Sequence, residues 1–222
     1  MCLRAIFRPS AEILPAGPGQ RGAALLLALL MTLVLAAIGA GLIAVTVTDT
    51  LISGAHRTGY ETMYAAEAAL ERAIHDLAPL ADWSPVLVPA PGNLVSTFID
   101  GQAAPGAPDG SQLDIAALTA ERQRTSDARE TFVQATDLPR WQLYAQGPLG
   151  TLPAAAPGPP AYLLVWVADD AEGDGDPTRD SNGQILVYAE AHGTGGARRA
   201  LEATVRRARP GVVEVLTRRA VR

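Results

Sequence analysis

The chain has 222 residues, of which 48% are hydrophobic, and a formal net charge of −5. That length fits one ordinary domain with appendages. No arginine cluster is interleaved with aromatic residues, so the sequence does not suggest a protein that binds nucleic acid. The single cysteine, Cys2, excludes an intrachain disulfide and a cysteine-based metal site.

The first element in chain order is a long apolar run. Residues 22–48 carry no charged side chain. As a helix, Ala23–Thr48 would be about 39 Å long, enough to cross a hydrocarbon core of about 30 Å. The apolar region of a cleavable signal peptide has roughly 7 to 15 residues, so this run is too long for one. Arg4, Arg8 and Arg21 precede it, which predicts a cytoplasmic N-terminus and an outward-facing remainder.

The helical pattern continues beyond the apolar run. No proline occurs from Ala23 to Ala78, and Pro79 is a natural helix stop. Residues 49–78 are therefore predicted to be the outer, amphipathic half of one long helix. Large apolar residues recur there at steps of three and four, which predicts a buried stripe. The stripe comprises Tyr60, Met63, Tyr64, Leu70, Ile74 and Leu77.

The remainder divides into two regions. Residues 79–139 are rich in proline and glycine and are predicted to be irregular, apart from a short helix within 111–124 capped by Ser111. Residues 140–222 are predicted to form an antiparallel sheet connected in sequence, with a glycine turn at 194–196. Its four strands are Arg140–Gly147, Ala161–Asp169, Gln184–Gly193 and Ala197–Arg207. The fold class is therefore α+β, with a long N-terminal membrane-spanning helix packed on a C-terminal sheet.

An acidic loop, residues 169–183, connects two of the predicted strands. It partly fits a calcium-binding EF-hand loop, but Ser181 stands where that motif has a bidentate glutamate. We favour a solvated turn, and keep as an alternative a weak Ca²⁺ site that stiffens the outer domain. The candidate ligands are Asp170, Glu172, Asp174, Asp176 and Asp180.

The sequence contains no catalytic motif that we recognise. The histidines, His56, His75 and His192, are far apart in sequence, and neither G-x-S-x-G nor H-E-x-x-H occurs. We therefore expect surface or packing roles for them, and no enzymatic activity.

Two segments in order carry a resemblance. "QRGAALLLALLMTLVLAAIGAG" followed by "YETMYAAEAALERA" resembles the N-terminal region of PilX-type minor pilins from type IV pilus assembly, over about residues 20–77. The resemblance implies a leader peptide, residues 1–22, that prepilin peptidase removes between Gly22 and Ala23, and methylation of the new terminus. It also implies that residues 23–48 serve first in the membrane and then in a filament core. Most major pilins have glutamate at the fifth residue after the cut, where this chain has Leu27, which favours a low-copy or initiating role.

The resemblance also implies location and partners. We expect a single-pass protein of the bacterial inner membrane with a periplasmic C-terminal domain, incorporated into an extracellular pilus. Its partners would be other pilins and minor pilins, bound through the N-terminal helix, and its role would be assembly, priming or capping of a type IV pilus or related secretion filament. Alternatives are an uncleaved signal anchor, an envelope binding protein with a calcium-binding outer domain and no filament role, and an anchored enzyme.

Overall fold

A computed structural model describes residues 20–88, 96, 98–100, 105–130, 138–152, 158–171 and 175–221. Its helices are α1 (Gln20–Leu77), α2 (Ser84–Leu87) and α3 (Ile115–Glu130). Its strands are β1 (Gln142–Pro148), β2 (Tyr162–Asp169), β3 (Gln184–His192), β4 (Arg198–Arg209) and β5 (Val212–Val221). The chain divides into two compact units, residues 1–53 and 54–222, and α1 contributes to both.

The five strands form one antiparallel sheet in sequence order. In the β3–β4 pair, His192 lies opposite Arg198 at the turn. Gly195 and Gly196 have φ angles of 63° and 72° in this turn, a conformation that glycine adopts without strain. The four predicted strands and the predicted glycine turn are thus present in the structure.

The fifth strand was not predicted. It follows the turn at Pro210 and Gly211, where Gly211 has a φ of 77°, and it pairs along β4. Residues 214–220 are all exposed, so neither face of the strand carries the alternating apolar residues that identify a half-buried strand. It is held by pairing with β4 and, near its ends, by Val213 and Val221, which pack against buried residues on the two sides of the sheet. The sequence pattern does not reveal these contacts.

The first face of the sheet packs on the part of α1 that belongs to the second unit. The buried residues of this helical face are mostly small: Ala65, Ala66, Ala69, Leu70, Ala73 and Leu77. They contact a sheet face formed by residues such as Leu163, Val165, Val187 and Leu201. Small side chains let the helix backbone approach the strands closely.

The predicted apolar stripe was therefore wrong in part. Leu70 and Leu77 are buried, but Tyr60 and Tyr64 are 64% and 66% exposed. Alanines and Thr62 take the inward positions near these tyrosines because the backbone lies too close for large side chains. At Gly193 a Cβ atom would overlap with the Thr62 hydroxyl, which shows how close this contact is.

The second face of the sheet packs on α3. This helix is longer than predicted and begins later: Asp114, not Ser111, caps it, because Asp114 Oδ1 accepts a 2.9 Å hydrogen bond from the Ala117 N–H. Ser111 instead donates to Asp109 in the preceding turn. Residues 79–139 thus contribute a packed helix as well as irregular segments.

Helices on both faces explain why all eight residues of β2 are buried. The core beneath α3 is aromatic, with Trp166 and Tyr188 at a ring-centroid distance of 5.8 Å and Trp141 against Tyr188 at 6.0 Å. The guanidinium of Arg122, from α3, lies 4.2 Å from the Tyr188 ring centroid and donates to Glu202 at 3.1 Å. The second unit therefore has two hydrophobic cores, one on each side of the sheet.

Candidate functional site

The part of α1 in the first unit is an exposed apolar helix. Leucine, isoleucine and valine side chains between Leu25 and Ile52 are at least half exposed to solvent. Within the described residues, α1 is the one helix long and apolar enough to cross a membrane. Its first acidic residue is Asp49. Such a surface requires a cover of lipid or of other apolar helices.

The hydroxyl groups in this segment are satisfied within the helix itself. Thr46, Thr48 and Thr50 each donate to the carbonyl four residues earlier, at 2.8 to 2.9 Å, and Thr32 donates to Leu29 O at 2.9 Å. In a bilayer every polar group needs an internal partner, because no water is available. The threonines therefore do not prevent this segment from residing in a membrane.

The predicted cleavage site lies at the start of the apolar helix. Gly22 and Ala23 are both exposed in the first turns of α1, and among the described residues, apart from the adjacent helix backbone, nothing lies within 4 Å of the position that a Gly22 Cβ would occupy. Leu27, at the fifth position after the predicted cut, is exposed as well. Residues 1–19 of the predicted leader lie outside the described residues. Cleavage between Gly22 and Ala23 stays a prediction.

Asp180 of the acidic loop holds the loop to the fold. Its Oδ2 accepts a 2.6 Å hydrogen bond from Arg207 of β4, and its Oδ1 accepts one of 2.6 Å from the Gly183 N–H. Arg207 also donates to Ala81 O and lies 5.0 Å from the Trp83 ring centroid. This contact, which we call the Asp180–Arg207 anchor, attaches the loop to the segment that follows α1.

The other calcium candidates have local roles or lie outside the described residues. Asp170 accepts hydrogen bonds of 3.0 and 3.2 Å from the Asn182 amide, and Asp176 accepts a 2.6 Å hydrogen bond from the Thr178 hydroxyl. Hydrogen bonds from Thr178 lower the pKa of the Asp176 carboxyl. Glu172 and Asp174 are not described. Within the described ranges no three acidic, histidine or cysteine residues form a metal-binding group, and the calcium site stays a prediction.

A buried ionic cluster lies on the α3 side of the sheet, and the sequence did not reveal it. Glu190 is 1% exposed, and its carboxylate lies 2.6 Å from His192 Nε2 and 2.7 Å from Arg198 Nε. Burial raises the pKa of the Glu190 carboxyl, but hydrogen bonds from His192 and Arg198 outweigh it and hold that pKa below its usual range. Burial and the Glu190 charge raise the pKa of Tyr188 to about 12.

This cluster ties adjacent strands together. Glu190 and His192 belong to β3 and Arg198 to β4, and Arg198 also reaches Glu121 of α3 at 3.4 Å. The alternation of side chains along a strand predicts that Glu190 and His192 share a face of the sheet. It does not predict their burial, which depends on α3. The other two histidines, His56 and His75, are exposed on α1.

These features define the class of the protein. An exposed apolar helix that continues into a face packed on an antiparallel sheet is the pilin-like α+β arrangement. Residues 21–71 match the family model described as PilX N-terminal, a match that covers less than a quarter of the chain. The chain therefore has a PilX-type N-terminal region, as found in minor pilins related to type IV pili, with an apolar helix of the membrane-anchoring kind. No curated protein and no solved structure matches it.

Proposed function

We propose that this protein is a minor pilin that takes part in assembling, priming or capping a type IV pilus or a related secretion filament. One observation carries the proposal: a single helix, α1, holds both an exposed uncharged segment and a face packed on the sheet. A disposable signal would be lost from the folded protein. A segment that belongs to a structural helix is better suited to being retained.

The exposed segment requires two successive covers in this proposal. Lipid covers it in the inner membrane, with the N-terminus in the cytoplasm and the second unit in the periplasm, as the arginines before the run favour. The apolar helices of other pilins and minor pilins then cover it in the filament. Prepilin peptidase would act between these stages, leaving residues 23–48 as the transmembrane and filament-core half and 49–78 as the outer half.

Leu27 supports a low-copy role. An unpaired carboxylate inside a bilayer is costly, and leucine removes that cost together with any contact the carboxylate could make to a neighbouring subunit. A subunit with leucine here would reside stably in the membrane and be recruited by other contacts. This favours initiation or capping over bulk incorporation. The role is structural, and we propose no enzymatic activity.

Processing is tested with a matched pair of glycine variants. Gly22 and Gly41 both lie in α1, and in the described part of the chain nothing beyond the local helix backbone lies within 4 Å of a Cβ added at either position. In cells with active prepilin peptidase, the unmodified chain and Gly41→Val are expected to be shortened to a chain starting at Ala23. Gly22→Val is expected to stay full length. Equal processing of both variants, or no processing of the unmodified chain, contradicts the proposal.

The filament role is tested separately by fractionation. The chain is expected in sheared filaments at far lower abundance than the major subunit. Its deletion is expected to reduce the number of filaments without lowering the membrane pool of major subunit. A chain found only in membranes, with normal filament numbers in the deletion strain, would support the envelope binding protein instead. Isothermal titration with millimolar Ca²⁺ then decides whether that alternative includes calcium.

A further inference from the structure

The two edge strands of the sheet, β1 and β5, differ in what lies beside them. On the outer side of β1 the chain adds a short parallel bridge, in which Gln146 N–H donates to Phe98 O at 3.3 Å and Asp100 N–H donates to Gln146 O at 3.1 Å. On the outer side of β5, the described residues provide neither a strand nor a bridge. The chain's own residues thus partly cover one edge, and the described part of the chain leaves the other uncovered.

The uncovered edge is suited to receive another strand. Alternate residues of an edge strand direct their N–H and C=O groups away from the sheet, so the ten residues of β5 offer about five such positions. No proline interrupts Val212–Val221, and Val215 and Leu216 are exposed on it. An extended peptide could therefore gain main-chain hydrogen bonds and apolar contacts together.

The charge around this edge indicates the kind of strand. Residues 206–222 carry six arginines and one glutamate. Three of these arginines are paired: Arg206 with Glu214, Arg207 with Asp180, and Arg218 with Glu67 and Glu71. The excess of positive charge lies at Glu202 of β4, whose single carboxylate is shared by Arg122, Arg129 and the 60% exposed Arg219 of β5. An acidic strand would be attracted here, whereas β5 of a second copy brings the same excess of arginine and would be repelled.

We propose that the outer edge of β5 binds an extended acidic segment of a different protein, which adds to the sheet as a sixth strand. The proposal rests on the sheet alone and does not depend on whether the chain enters a filament. Protection of the outward amides of β5 and preference for acidic over basic strands follow from it.

The test uses the full-length chain in detergent micelles and three synthetic peptides. The first, about nine residues long, alternates valine with glutamate and threonine; the second has arginine in place of glutamate; the third is the acidic peptide with alternate amides N-methylated. Residue-resolved hydrogen exchange is expected to show fast exchange at alternate β5 amides, which the acidic peptide slows at least tenfold. The basic and N-methylated peptides are expected to bind at least tenfold more weakly.

A pair of variants at one position separates charge from folding. Leu216→Glu is expected to weaken binding of the acidic peptide at least tenfold relative to Leu216→Lys, although both replace the same apolar side chain. Equal affinities would overturn the proposal. So would alternate β5 amides already protected without peptide, equal binding of the N-methylated peptide, or self-association of the chain through β5. None of these outcomes depends on processing at Gly22.

Discussion

The Asp180–Arg207 anchor gives the sharpest prediction for stability. The Asp180 side chain is fully buried and that of Arg207 is 19% exposed, with 2.6 Å between Oδ2 and Nη2. Asp180→Asn keeps the shape of the side chain and removes its charge, which leaves the guanidinium partly buried without its counter-ion. Removing one partner of a buried pair costs about 3 to 5 kcal/mol. Because water reaches part of Arg207, we expect the lower end, about 3 kcal/mol.

Thermal unfolding of the full-length chain in micelles measures this cost. For a folded unit of this size, about 3 kcal/mol corresponds to a decrease in Tm of about 6–12 °C. The matched control is Asp176→Asn in the same loop, whose exposed carboxylate accepts hydrogen bonds from the Thr178 N–H and hydroxyl. Its Tm is expected to change by less than about 4 °C, since exposed hydrogen bonds contribute about 1 kcal/mol or less.

A double-mutant cycle identifies the partner. Arg207→Met, the single Asp180→Asn variant and the double variant should be strongly non-additive, because after loss of either partner the second substitution removes a charge that is already unpaired. Additive effects would refute the anchor. Equal Tm losses in Asp180→Asn and Asp176→Asn, matched by a similar loss when a chelator is added to the unmodified chain, would instead indicate a shared calcium site.

Two further predictions concern the helix contact and the buried cluster. Gly193→Ala is expected to destabilise the second unit by about 1–3 kcal/mol through overlap with Thr62, and Thr62→Ala should restore much of the loss. Gly150→Ala, where none of the described residues apart from its chain neighbours lies within 4 Å of an added Cβ, should have little effect in the same urea titration. Glu190 has a lowered folded pKa, so its stabilising contribution is present above the ordinary carboxyl range of about 4 to 5 and is lost as pH falls through the folded pKa. Glu190→Gln should therefore be less stable at pH 7 and lose less stability than the unmodified chain between pH 5 and 3; parallel pH profiles would contradict this.

The long helix and four strands could be predicted because their signals are local. The proline-free span ending at Pro79 predicts a helix to Ala78, and α1 ends at Leu77. Each predicted strand is short, β-rich or alternating, and flanked by glycine, proline or aspartate. The match of residues 21–71 to the PilX N-terminal model confirms the resemblance over the same part of the chain.

The remaining features depend on contacts between distant residues. The inward face of α1 could not be recognised by size, because alanines such as Ala69 fill it while Tyr64 faces outward. The β5 strand has no buried face, and the role of Asp180 depends on Arg207, which is 27 residues away in sequence. An acidic loop therefore has the same sequence pattern whether its carboxylates bind a cation or an arginine from a neighbouring strand.

In the proposed function, the apolar segment of α1 is retained after processing and carried into a filament. The most direct measurement is the intact mass, with N-terminal sequencing, of the chain recovered from sheared filaments. We expect a chain that begins at Ala23 and keeps all residues from there to the second unit. A chain in filaments that begins after Ser53, or a chain found only in membranes with residues 1–22 intact, would contradict it.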